Sequence, residues 1–137
     1  MTGCQDVLPE RPGNRRIDTL QNILATGQIG MLFLIPGVEE TLRVNGRACL
    51  TRDEAILERC VAHDKRPVIA IGIEVTDCFL HCAKAFKRSR FWQPETWPPA
   101  GSVPTLAEML HDQICPTDGT VEEWAKSIQE SYAKNLY

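Results

Sequence analysis

Two groups of basic side chains and one Cys–His cluster are the residues of this chain whose types and spacing suit chemistry. The first group is Asn14-Arg15-Arg16, in the stretch RPGNRRIDTLQNILATG. Asn14 is a good N-cap, Pro12-Gly13 reads as the turn before it, and Gly27 stands where a helix stops. Ile17, Leu20 and Leu24 fall on one face of the short amphipathic helix between them. Arg15 and Arg16 then sit in the first turn, where unsatisfied N–H groups and the macrodipole are already positive, and a cation there costs a few tenths of a kcal/mol up to about 1. Either that cost is borne at a wet surface, or an anion such as phosphate sits at the helix start and reverses it. The second group is Lys84, Lys87, Arg88 and Arg90, with Ser89 among them and no acid in between. Arginine forks match phosphate oxygens and serine adds a short donor, although the same cluster also reads as a solvated turn at a strand end. Two basic groups that converged would suit a compact anion.

Cys78, His81 and Cys82 come nearest to a metal motif, but no second pair completes a tetrahedral site, so no metal is expected. On a strand, Cys78 and Cys82 share a face and His81 takes the other, which leaves His81 badly placed to activate Cys82. His63 and His111 read as surface residues on helices or at helix ends. Trp92 and Trp97, beside prolines, read as caps on a core edge or flanks of a planar ring. The chain has no phosphate-binding glycine loop, nucleophile elbow or usefully spaced carboxylate pair, and no residue is nominated as catalytic.

The elements that must position these residues follow from periodicity. QIGMLFLIPG is a continuous apolar run that predicts a strand buried on both faces. In EETLRVNGRACL, Leu42, Val44 and Ala48 alternate with Arg43, Asn45 and Arg47, which predicts a strand with one polar face. Pro36-Gly37 between the two runs predicts an antiparallel hairpin. TRDEAILERCVAHDK predicts a helix capped by Thr51, with Glu54 completing a capping box and Ile56, Leu57 and Cys60 facing inward. RPVIAIGIEVTDCFLHCAKAF predicts one long strand or two short ones, and CQDVLP the end of another. A proline-rich loop then leads to two helices, TLAEMLHDQI and TVEEWAKSIQESYAKNLY. The fold class expected is mainly β with peripheral helices (α+β), an antiparallel sheet or small barrel.

Composition narrows the function classes. At 137 residues the chain has room for one core, so a single domain over 1–137 is expected, with a helical extension from about 104 to 137. A net charge of -3 argues against a general nucleic-acid binder. No apolar run reaches the length of a membrane span, and MTGCQDVLPERPG lacks a signal-peptide pattern, so no membrane partner and a cytoplasmic location are expected. The six cysteines have no framework spacing and most should be thiols.

Three blocks, LPERPGNRRIDTLQNIL, GMLFLIPGVEETLRVNGRACL and FLHCAKAFKRSRFW, together with the ending SYAKNLY, resemble the pyridoxamine 5'-phosphate oxidase-like proteins. The similarity is to an uncharacterised branch with P-G-N-R-R, L-R-V-N-G and H-C-x-K-A-x-x-R-S blocks, and it runs from about Leu8 to Trp92. It implies an FMN-binding split barrel that works as a homodimer with flavin at the interface, and an oxidoreductase function. It also implies that Asn14, Arg15 and Arg16 hold the FMN phosphate, with Arg43, Lys84, Arg88 and Ser89 as further ligands of the flavin or of a small phosphorylated substrate. In that branch the first strands precede the P-G-N-R-R block, which stands close to the start of this chain. The resemblance therefore also implies a barrel incomplete at its N-terminus and weak or absent FMN. The alternative expectation is a non-catalytic split-barrel dimer that binds a small anion or a partner and has lost flavin.

Overall fold

A computed structural model of the chain describes residues 6–13, 16–114 and 119–135. They form an α+β structure with a four-stranded, wholly antiparallel sheet. The strands are β1 (Asp6–Pro9), β2 (Gln28–Phe33), β3 (Thr41–Thr51) and β4 (Ala70–His81), in the order β1-β4-β3-β2. The helices of four residues or more are α1 (Asp18–Thr26), α2 (Glu54–Arg59), α3 (Lys84–Ser89), α4 (Leu106–Ile114) and α5 (Val121–Lys134). The chain divides into two compact units, Met1–Pro94 with the sheet and Glu95–Tyr137 with α4 and α5. In the second unit, α4 and α5 open on Thr105–Glu108 and Thr120–Glu123 capping boxes and pack together, with the His111 and Trp124 rings edge to face at 6.3 Å.

The predicted hairpin is present. β2 pairs with β3 from Gln28↔Arg47 to Phe33↔Leu42, and Pro36-Gly37 turns the chain, with the Val38 N–H donating to the Ile35 carbonyl at 2.9 Å. Gly37 takes φ +80, which only glycine adopts at ease. β2 is nevertheless not buried on both faces. It is an edge strand, alternating exposed and half-buried, because no fifth strand covers its outer side among the described residues. An edge offers one face to a helix and the other to solvent, so a run of apolar residues cannot by itself place a strand at the centre of a sheet. The run at RPVIAIGIEVTDCFLH is one strand, β4, and CQDVLP does end in a strand, β1, paired from Asp6↔Ile73 to Pro9↔Ala70.

Residues directly opposite one another share a face. Met31, Ile29, Leu50, Ala48, Ile71, Ile73 and Val75 therefore line one side of the sheet, and α1 lies over it with Leu20 and Ile23. The buried face of α1 differs from the expected one. Leu20 and Ile23 are 7% and 3% exposed, whereas Leu24 is 73% exposed and Ile17 lies outside the helix.

The start of α1 also moves. Ile17 holds the N-cap position in a left-handed conformation (φ 52) with no side-chain cap, and Asp18 opens the helix. A carboxylate in the first turn suits the macrodipole that two arginines would oppose. Arg16 thus precedes the helix, and its Nε donates to Asp18 Oδ2 at 3.1 Å. Asn14 and Arg15 lie outside the described residues. For α2 the cap is Asp53, which accepts from the Ile56 N–H at 3.1 Å. Thr51 is the last residue of β3, and its hydroxyl accepts from the Asp53 N–H. Leu57 is the buried residue of this helix.

Burial fixes the expected energetics. Ile73→Ala, at the largest fully buried side chain among the described residues, should cost about 2–5 kcal/mol, whereas Leu24→Ala should stay within about 0.5 kcal/mol of the parent. Urea unfolding of the two variants checks which face of α1 meets the sheet.

Candidate functional site

A long strand pair with one flaw builds the site. β3 and β4 pair in step from Thr41↔His81 to Asn45↔Asp77, then resume at Gly46↔Val75, so Thr76 is an extra residue on β4. Such a bulge bends its strand and re-aims the neighbouring side chains. Gly46 makes it possible, because a Cβ there would collide with the Glu74 carbonyl oxygen. The Thr76 hydroxyl closes the defect by donating to the Asn45 carbonyl at 3.2 Å.

On the sheet face away from α1, the bulge opens a groove of about 500 Å³ between β2, β3 and β4. Arg43, Asn45 and Arg47 of β3 line it, with Gln28 and Gly30 on one side and Thr76 and Asp77 on the other. Arg47 is neutralised by Glu74, with Nε at 3.1 Å and Nη2 at 2.7 Å from Oε2. Arg43 is different. Its Nε donates to Asn45 Oδ1 at 2.7 Å, and it makes no ion pair among the described residues. Among those residues only Arg11 and Arg43 are half-buried cations. Arg11 spends its guanidinium on the carbonyls of Lys65 (3.1 Å) and Cys60 (2.6 Å), a tie between the segment after β1 and the loop after α2. Among the described residues, the other four N–H donors of Arg43 meet no protein acceptor. Those donors face the open groove, where water meets them and an anion with acceptor oxygens could replace that water.

Apolar residues occupy the register positions beside Arg43. Leu32 and Phe79 stand directly opposite Arg43 on the neighbouring strands, on the same face, and both are about half exposed. The Phe79 ring is 5.2 Å from that of His81. The face thus carries an arginine and, at the register positions opposite it, two partly exposed apolar residues, one of them aromatic.

The remaining sequence candidates fall elsewhere. Lys84, Lys87, Arg88 and Ser89 belong to α3, which is a helix and not a turn, and none of them lines the groove. The Ser89 hydroxyl donates to the Phe86 carbonyl of its own helix at 3.2 Å. Lys87 pairs with Glu39, whose carboxylate holds the ammonium above the usual lysine range. Arg16 is exposed, bound to Asp18, and likewise outside the groove. Trp92 does not line the groove. It stacks on Phe86 at 6.0 Å and 13°, and its indole N–H donates to the Val38 carbonyl at 2.7 Å. Cys60, Cys78 and Cys82 are thiols, and no group of three or more His, Cys, Asp or Glu is gathered to hold a metal ion among the described residues. Among these residues, too, no helix is long and apolar enough to cross a membrane. The sequence singled out Arg43 but missed Gly30, Thr76 and Asp77, since a bulge leaves no mark in an alternation pattern read one strand at a time.

No protein-family model, curated protein or solved structure matches this chain.

Lys87 and Trp92 together tie the hairpin tip to the segment after β4. Because the Lys87 value is raised, its part of the tie is complete below the ordinary lysine range (about 10.4) and is lost only as pH rises through the raised value. Trp92→Phe keeps the ring but leaves the Val38 carbonyl without its donor, and should cost about 0.5–1.5 kcal/mol. Amide exchange at Val38 should accelerate in this variant while amides of α1 keep their protection.

Proposed function

We propose that this chain is an FMN-binding split-barrel protein of the pyridoxamine 5'-phosphate oxidase-like type, acting as an oxidoreductase in a homodimer. The observation that carries the reading is Arg43, which lines the groove half-buried and with no ion pair among the described residues, while Leu32 and Phe79 stand opposite it on the same sheet face. An anionic oxygen cluster and a planar apolar ring are the two halves of FMN, and this face offers a partner for each. The volume also suits a cofactor, since ligand sites run from about 300 to 1,000 Å³.

In this reading Arg43 holds the phosphate or another anionic edge of the flavin, and Asn45 fixes the guanidinium. Phe79 and Leu32 supply wall for the ring. The flavin supplies the hydride or electron transfer, and the chain binds and orients it. Lys84 and Arg88, exposed on α3, remain candidates for a substrate phosphate approaching from solvent. Arg15 and Arg16 remain candidates for the cofactor phosphate. Two features support the dimer: the outer edge of β2, unpaired among the described residues, and a run of exposed apolar side chains at the hairpin end, Leu32 to Ile35 with Leu80.

Fluorescence titration with FMN tests the reading. Binding in the micromolar range, about −8 kcal/mol, is expected, and Arg43→Ala should weaken it about tenfold or more, the worth of a charge-assisted hydrogen bond or two. Replacing Arg15 and Arg16 together by Ala should remove roughly 2–4 kcal/mol if they share the phosphate. Unchanged affinity would assign that role to Arg43 alone. Sedimentation should give a dimer at micromolar concentration, through an interface of more than about 1,000 Å². A chain that stays monomeric and binds no flavin would fit neither half of the proposal.

A further inference from the structure

Gly30 has no backbone reason to be glycine. It lies inside β2, it is not among the residues with positive φ, and glycine within a strand is destabilising. What its missing side chain leaves is room. A Cβ built on Gly30 would collide with Nη2 of Arg43 and come within 3.1 Å of its Cζ and 3.3 Å of Asn45 Oδ1. The guanidinium therefore lies across the backbone of β2 at the register position Gly30↔Asn45, with its Nε tied to Asn45. Both contacts act on Arg43, which is half-buried and makes no ion pair among the described residues, and both groups line the groove.

We propose that Gly30 and Asn45 are a built seat for the Arg43 guanidinium, and that the seat makes the groove a subsite for an anion with at least two acceptor oxygens, a phosphate or a carboxylate. Gly30 lets the planar group lie flat, and Asn45 takes Nε, so the remaining N–H groups are held in place before the ligand arrives. Pre-organisation of this kind removes ordering cost from binding. Gly30 and Asn45 are positioning residues, acting through Arg43. With FMN as the ligand, the inference rests on the flavin reading above; the seat itself does not need it.

The test compares the full chain with Gly30→Ala, Asn45→Ala, Arg43→Ala and the Gly30→Ala/Arg43→Ala double variant. NMR exchange of the Arg43 Nε–H reads the seat without any ligand: it should be slow in the parent and fast in Gly30→Ala and Asn45→Ala. Thermal stability of Gly30→Ala should equal or exceed that of the parent, because the displaced atom is the end of a flexible side chain. In flavin titrations, Gly30→Ala and Arg43→Ala should each reduce the preference for FMN over riboflavin by about tenfold to a hundredfold, and the double variant should lose no more than either. Unchanged Nε–H exchange and an unchanged FMN-to-riboflavin ratio in Gly30→Ala would overturn the seat. Should the parent bind neither flavin, the flavin reading fails and titration with inorganic phosphate decides the seat. A phosphate-induced shift of the Arg43 Nε–H that Gly30→Ala abolishes supports it, and no shift in the parent overturns it.

Discussion

The pairing of β3 with β4, and the single extra residue within it, is the constraint on which the described sheet depends. Side chains on a strand alternate with a period of two, so one inserted residue exchanges the faces of everything beyond it. Thr76 is that insertion. On its C-terminal side, Asp77 and Phe79 share a face with Arg43 and Asn45; on its other side, Glu74, Gly72 and Ala70 share that face with Arg47, Cys49 and Thr51. Ile71, Ile73 and Val75 can therefore meet α1 while Asp77 stays on the polar side. A strand without the bulge would carry either Asp77 onto the α1 face or Ile73 away from it. The core and the groove are two consequences of one local irregularity.

The same logic explains the sequence around Arg43. In Leu42-Arg43-Val44-Asn45-Gly46 each residue has a separate mechanical task. Leu42 and Val44 point to the α1 side, Asn45 holds the arginine, and Gly46 admits the Glu74 carbonyl where the register shifts. A motif that resembles a ligand-binding block is, in this fold, first a device for bending a sheet and fixing one cation. The ligand role proposed for it rests on the donors that the device leaves without a protein partner among the described residues.

Much of this was legible in the residues. The hairpin came from Pro36-Gly37 and the polar face of β3 from Arg43, Asn45 and Arg47, because a turn dipeptide and strict alternation are local signals. The helices α4 and α5 follow as directly from their apolar spacing and their breakers. What was not legible depends on distant partners. Leu24 and Ile23 are equally apolar, and only the position of the sheet decides that Ile23 is covered. Thr51 and Asp53 are both good caps, and the pairing of Thr51 with Ala70 leaves the role to Asp53. The run QIGMLF looks central and lies at an edge, since burial on a second face requires a neighbour that a strand's own residues do not encode. Arg16 reads as a helix-start cation until Asp18 takes the first turn and binds it.

The distribution of charge separates structural cations from a poised one. Arg47, Arg66, Lys87 and Lys134 each meet a carboxylate at or near the surface, where such pairs contribute little beyond local order. Arg11 is withdrawn further and is met by two backbone carbonyls, a fixed arrangement that stitches the chain together and needs nothing from outside. Arg43 is half-buried too and, among the described residues, is met by one neutral amide oxygen. A neutral partner orients a guanidinium without discharging it, so the field of Arg43 remains available at the groove. Had a carboxylate stood in place of Asn45, the arginine would be as well placed and the groove would have no charge to offer an anion. The choice of an amide over an acid at that one position is what turns a sheet face into a candidate binding site.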